Sequence, residues 1–294
     1  MGLPEEELFE KGHRACAGCG ASLLLRYVLK ATGKDVVVCQ ATGCMEVVSS
    51  PYPETAWKVP WIHAAFENAA AVASGVSRAL RRMNKKTNVV ALGGDGGTFD
   101  IGFQALSGAA ERGEKVCYIC NDNGAYMNTG KQRSGGTPKY AATTTSPAGM
   151  KVHGKTEYKK DMPMIMAAHG AYVATCSIAY PLDIISKIRK GISKQGPAYI
   201  QVFTPCPPGW GIASSKTIQV CKLAHETRAV PLYEIEDGIV KITKKPSSGM
   251  PVKEYLQFQK RFRHMNDAEI RETQDYVDRE WEKLLKLEET QVRL

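Results

Sequence analysis

Two short stretches carry residue types at spacings that could do chemistry. The first is "GHRACAGCGAS", Gly12 to Ser22, where Cys16 and Cys19 stand three apart among small residues. Thiols so spaced hold metal: structural zinc takes four ligands in a tetrahedron, and an iron–sulfur cube takes four thiolates. Cys44, in "QATGCMEVV", and Cys206, in "FTPCPPGW", are single cysteines further along the chain. Spacing alone leaves zinc and a cluster both open. The second stretch is "GGDGGTFDIGFQAL", followed past the next apolar run by "CNDNGAYMNTG". A carboxylate flanked by glycines at a strand end, Asp95, can bring its oxygens and nearby N–H groups up to a diphosphate and its divalent metal. If Asn123 ends a neighbouring parallel strand, Asp95, Asn123 and a backbone carbonyl can together hold one Mg²⁺ that bridges two phosphates.

The other thiols read differently. Cys117 and Cys120 form a second CxxC, "CYIC", but inside a strand pattern, where residues three apart point to opposite faces. Cys39 and Cys176 read as core thiols. Cys221, in "IQVCKLAHET", sits in a helical pattern and is the rival to Cys206 for a fourth ligand. The Pro and Gly around Cys206 favour it as a loop ligand. Of the histidines, His63 in "VPWIHAAFENAA" is expected to start a helix and to face a cofactor or the loops beside it. His13 and His169 read as structural, and Glu67 and Asn68 are expected one turn into the helix after His63.

These residues need a scaffold. "DVVVCQ" from Asp35 to Gln40, "NVVAL" from Asn88 to Leu92, "KVCYIC" from Lys115 to Cys120, Tyr172 to Thr175 and Ala198 to Phe203 read as strands buried on both faces. Helical patterns lie between them: His63 to Met83, "IGFQALSGAAERG" after the glycine loop, and Pro181 to Lys194 with Leu182, Ile184, Ile185, Ile188 and Ile192 on one face. The alternation predicts an α/β fold with a mostly parallel sheet and helices on both faces. Ligands then belong at the carboxyl ends of the strands, where the glycine-rich loops fall. The polar stretch Asn128 to Lys160 is too long for a plain connection and is expected to be functional or disordered. Residues 1–232 read as the ligand-binding domain. Residues 233–294 read as a hairpin turning at Asp237-Gly238 and a charged helical tail that contacts another subunit.

Composition narrows the class. The net charge of +9 is spread along the chain, with Lys85-Lys86, Lys159-Lys160 and Lys244-Lys245 only as pairs, so neither nucleic acid nor membrane is an expected partner. The acidic N-terminus and the lack of a long apolar run lead to the expectation of a cytoplasmic protein. An odd count of nine cysteines suits reduced thiols and metal ligands better than a disulfide framework.

"GDGGTFDIGFQAL" with "NDNGAYMNTGKQRSGGTPKYAATTTSPAG" resembles the thiamine diphosphate fingerprint as it occurs in the beta subunits of the 2-oxoacid:ferredoxin oxidoreductases, the pyruvate branch in particular. The likeness runs from about His13 to Leu232. It implies a thiamine diphosphate-binding fold in which Asp95, Asn123 and the Ala125 carbonyl hold Mg²⁺ while Gly94, Gly96 and Gly97 line the diphosphate. It also implies one [4Fe–4S] cluster on Cys16, Cys19, Cys44 and Cys206, from which electrons pass singly to ferredoxin while coenzyme A takes the acyl group. The family's ylid-activating glutamate comes from the alpha subunit, so no catalytic residue is assigned in this chain. Gamma- and delta-type subunits complete the implied complex. The implied reaction is the reversible oxidative decarboxylation of pyruvate to acetyl-CoA and CO₂ in an anaerobe. Branched-chain 2-oxoacid and oxalate enzymes share much of the pattern. A redox-free thiamine decarboxylase or carboligase would leave the four cysteines unexplained, and a zinc-stabilised binding protein would leave Asp95 and Asn123 unexplained.

Overall fold

The computed structural model describes residues 3–294. Its strands are β1 (Val36–Ala41), β2 (Trp61–Ala64), β3 (Asn88–Gly94), β4 (Cys117–Asp122), β5 (Tyr172–Ser177), β6 (Ala198–Phe203), β7 (Leu232–Glu236) and β8 (Ile239–Lys244). Its helices are α1 (Gly20–Thr32), α2 (Cys44–Ser49), α3 (Ala69–Arg82), α4 (Phe103–Glu111), α5 (Met162–Ala168), α6 (Pro181–Ser193), α7 (Pro207–Trp210), α8 (Thr217–Glu226), α9 (Val252–Leu256) and α10 (Asp267–Thr290).

The strands form one eight-stranded sheet in the order β2, β1, β3, β4, β6, β5, β7, β8. β1 to β6 are parallel, and β7 and β8 close the edge antiparallel. The expected α/β architecture is therefore present, because strands covered on both faces are apolar on both. β4 shows it: Cys117 and Ile119 enter the core under α1, α6 and α8, whereas Tyr118 and Cys120 enter the one under α3, α4 and α5. The second CxxC is thus split across the sheet. From β1 the chain goes outward to β2, then returns to the other side of β1 as β3. That reversal opens a crevice at the carboxyl ends of β1 and β3.

Three expectations change. His63 does not start a helix: Trp61–Ala64 pairs in parallel with β1 as an edge strand, and α3 begins only at Ala69. An alanine-rich run looks helical from its first residue, but Trp61 and Ile62 are better strand formers and β1 offers a free edge. Glu67 and Asn68 accordingly lie before α3, with Asn68 as its cap residue. Leu182, grouped with the buried face of α6, is 58% exposed.

The hairpin at 232–244 turns through Asp237 (φ 52°) and Gly238 (φ 78°), the paired positive φ of a type I′ turn. It joins the main sheet through β5. α10 starts with a capping box of Asn266 and Glu269 and sends Trp281 and Leu284 into the core beneath β8. The sheet and core thus run through the boundary read at residue 232. The loop between β4 and α5 is long but packed: Ser134, Thr137 and Lys155 are buried within it, and the Lys155 ammonium donates to the Thr137 carbonyl at 2.8 Å.

Candidate functional site

Asp95 follows the last residue of β3, where the chain passes into a π-helical turn (Gly97–Ile101) that leads to α4. A strand running into a helix leaves first-turn N–H groups facing the strand end, a setting that favours anions. Asp95 is fully buried and accepts a hydrogen bond from the Ser134 hydroxyl, so the long loop reaches back to the carboxylate. The backbone N–H of Asn123 donates to Asp95 Oδ1 at 3.3 Å.

The carboxamide of Asn123 lies between two oxygens. With its nitrogen turned towards them it donates to Asp95 Oδ1 at 3.1 Å and to the Ala125 carbonyl at 2.9 Å, and its oxygen accepts from Asn121 at 3.2 Å. With the amide reversed, the Asn123 oxygen faces Asp95 Oδ1 at 3.1 Å and the Ala125 carbonyl at 2.9 Å. Six oxygens around Mg²⁺ at 2.0–2.1 Å form an octahedron with cis edges of about 2.9 Å, so the chemistry of the donors and both of these spacings fit the ion. Burial first, and the Asp122 carboxylate next, push the Asp95 pKa up. A cation held by these oxygens would oppose both effects.

A cavity of about 210 Å³ opens beside these groups, lined in part by Gly94, Gly96, Gly97, Asn123, Ala125 and Cys44. Glycine is required at 96, where a Cβ would stand 2.5 Å from the Tyr126 ring. At Gly94 nothing lies within 4 Å of that position, because the space belongs to the cavity. Phe66, Tyr126, Met127 and Thr42 complete much of the wall. His63 is not in it: the ring is 43% exposed, stacks on Trp61 and shares a 2.7 Å hydrogen bond with Thr42.

The four thiols named from the sequence come to the same end of the sheet. Cys16 and Cys19 sit in a turn closed by a 3.0 Å bond from the Cys19 N–H to the Cys16 carbonyl. Cys19 precedes α1, Cys44 opens α2 after β1, and Cys206 precedes α7 after β6. The N-terminal loop is pinned there because Thr217 donates to the Gly18 carbonyl at 2.7 Å, and a Cβ at Gly18 (φ +71°) would overlap the backbone of Ser214. Burial raises the Cys44 thiol to about 11, and the charges of Cys206, Cys19 and Cys16 add to it. Cys206 is raised by burial and then by Cys19 and Cys16. The four sulfurs thus feel one another. Cys221 is fully buried on α8, and burial dominates its rise to about 12. Among the described residues no three His, Cys, Asp or Glu close to the separation of a single metal ion.

Several contributors carry no local motif. Ser134 is one serine in a polar loop. Asp122, held by Lys159 and by Gln201 at 2.8 Å, is visible only as the residue before Asn123. Trp210 donates to the Asn123 carbonyl at 2.7 Å from a different loop altogether.

Residues 41–202 match the family described as thiamine pyrophosphate enzyme, C-terminal TPP binding domain. The fold is thus that of a thiamine diphosphate enzyme, and the Asp95 loop lies within the matched residues. Pyruvate synthase subunit PorB of Methanocaldococcus jannaschii is 57% identical over 287 residues, covering 95% of this chain and 96% of that one. Ketoisovalerate oxidoreductase subunit VorB of Pyrococcus furiosus is 45% identical, covering 98% and 95%. In a solved 2-oxoglutarate:ferredoxin oxidoreductase from Magnetococcus marinus, a chain 25% identical matches with a TM-score of 0.58, covering 70% of this chain and 68% of that one. The chain belongs to the pyruvate synthase beta-subunit family of the 2-oxoacid:ferredoxin oxidoreductases.

Proposed function

We propose that this chain is the subunit that holds thiamine diphosphate, Mg²⁺ and one [4Fe–4S] cluster in an enzyme that oxidatively and reversibly decarboxylates pyruvate to acetyl-CoA and CO₂ with ferredoxin as electron acceptor. The observation that carries the reading is that Cys44 belongs both to the wall of the Asp95 cavity and to the group of four thiols. A thiamine decarboxylase without redox chemistry has no use for that shared wall.

When bound, thiamine diphosphate supplies the electron sink for breaking the bond beside a keto group, and the cluster supplies a one-electron acceptor of low potential. The residues of this chain bind and orient. Asp95, Asn123 and the Ala125 carbonyl would hold the cation. Gly94, Gly96 and Gly97 keep the strand end open to the phosphates, and Ser134 holds the Asp95 carboxylate in place from behind. Cys16, Cys19, Cys44 and Cys206 would hold the cluster. At about 210 Å³ the cavity is smaller than the ~300–1,000 Å³ that encloses ligands of such size, which supports a site completed by another chain. That partner, an alpha-type subunit, would bring the glutamate that activates the cofactor, and gamma- and delta-type subunits would carry electrons on to ferredoxin. The setting is the cytoplasm of an anaerobe. Pyruvate is proposed because the pyruvate synthase subunits of three methanogens are 56–57% identical to this chain; the pyruvate synthase and ketoisovalerate subunits of Pyrococcus furiosus match it equally at 45%, so the substrate assay decides between them.

The test is iron, acid-labile sulfide and thiamine diphosphate per chain in the anaerobically purified complex, for wild type, Cys206→Ala and Cys221→Ala. Wild type and Cys221→Ala should carry the cluster and the Cys206 variant should lose it. Zinc in place of iron, or absent thiamine, overturns the reading. Faster ferredoxin reduction with 2-oxoisovalerate than with pyruvate would reassign the substrate.

A further inference from the structure

Arg261 follows α9, far along the chain from every residue assigned above, yet it is only 6% exposed. Its guanidinium carbon stands over Trp210, 3.8 Å from the ring centroid. Nε donates to Gln259 at 2.9 Å, while Nη2 is buried without a hydrogen-bond partner. Among the described residues no carboxylate comes within ion-pair distance. Asp122 and Asp95 lie near enough to act on it. Both are already engaged, however, by Lys159 and Ser134. A buried guanidinium with no anion is costly, and stacking on an indole recovers only part of that cost.

The location says what the missing anion is. Nη1 sits 2.8 Å from where a Cβ on Gly124 would stand, so arginine presses on the turn between Asn123 and Ala125. Trp210, beneath it, donates from its ring to the Asn123 carbonyl at 2.7 Å and from its backbone to the Cys206 carbonyl at 2.8 Å. One stacked pair therefore touches the cation loop on one side and the fourth thiol's loop on the other.

We infer that Arg261 is a positioning residue whose buried charge, stacked on Trp210 between the Asn123–Ala125 turn and Cys206, is the fixed counter-charge of the iron–sulfur cluster. This rests on the cluster reading given above. A thiolate-ligated cluster gains one negative charge on reduction, so a fixed cation nearby favours the reduced form and raises the potential. Arg261→Lys keeps the charge, whereas Arg261→Gln and Arg261→Met remove it and keep an unbranched stem.

The experiment is a redox titration of the whole anaerobic complex followed by electron paramagnetic resonance, reading the signal that Cys206→Ala abolishes, with iron and sulfide counted in parallel. In Arg261→Gln and Arg261→Met the reduced-to-oxidised ratio at fixed potential should fall tenfold or more, about 59 mV for a one-electron couple. Arg261→Lys should stay within threefold of wild type. A neutral variant that keeps its cluster at wild-type potential overturns the inference. If both neutral variants lose the cluster, retention in Arg261→Lys supports the charge requirement and loss there overturns it. No cluster in wild type would instead sink the functional reading itself, which the iron count reports separately.

Discussion

Replacing Asp95 with asparagine is expected to stabilise the cation-free chain while abolishing its response to Mg²⁺ and thiamine diphosphate. The carboxylate is fully buried, and burial first and Asp122 second raise its pKa from 3.8 to about 7. Between those values the folded chain keeps a proton that the unfolded chain has released. Cation-free stability therefore falls as pH rises from about 4 to about 7, and stays lowered above that. At ~1.4 kcal/mol per tenfold change in proton affinity, the ionised group costs the fold on the order of 4 kcal/mol. Asparagine removes the charge but offers one oxygen where Asp95 accepts from both Ser134 and the Asn123 N–H, so about 1 kcal/mol of hydrogen bonding goes. A net gain of roughly 2–3 kcal/mol should raise the unfolding midpoint by on the order of 5 °C at pH 8, whereas near pH 4, where the charge cost is gone and only the lost hydrogen bond counts, the variant should melt slightly below wild type. Thermal unfolding of EDTA-treated complex, with and without Mg²⁺ and thiamine diphosphate, reads both halves. Wild type should gain about 2.7 kcal/mol at a hundredfold excess over its dissociation constant, and the variant nothing. A variant that melts below wild type without cation at pH 8, or binds the cofactor within tenfold of wild type, refutes the reasoning.

Gly96→Ala puts a methyl group 2.5 Å from the Tyr126 ring, which is held to Asp100 at 3.2 Å. Thiamine diphosphate retained after gel filtration should fall at least about tenfold, equivalent to ~1.4 kcal/mol, with circular dichroism unchanged. His63→Ala removes one hydrogen bond, from a ring outside the cavity wall to Thr42 within it, worth about 1 kcal/mol, so cofactor affinity should move less than tenfold by calorimetry. Glu272, held at about 2 by hydrogen bonds from Lys139, Tyr140 and Tyr158, ties the long loop to α10. Its contribution is present above pH 4.5 and lost as pH falls towards 2. Because the side chain is 43% exposed, Glu272→Gln should cost no more than about 1 kcal/mol, read as faster amide exchange between residues 139 and 158.

What local sequence determined here is what local physics suffices to set. Five strands are legible because a strand covered on both faces must be apolar throughout, and the Asp95 and Asn123 loops are legible because glycines and short polar side chains interrupt that apolar pattern at the strand ends. The I′ turn at Asp237-Gly238 is equally local. Tertiary structure decided the rest. Whether Trp61–Ala64 is strand or helix depended on the open edge of β1. Ser134 meets Asp95, and Arg261 meets Trp210 beside Gly124, only because long connections fold back over the carboxyl end of the sheet. Cys206 rather than Cys221 joins the other thiols because β6 ends at that same edge, while α8 turns Cys221 into the core. Residues far apart along the chain have no propensity for one another, and the parallel sheet alone brings their loops to one end.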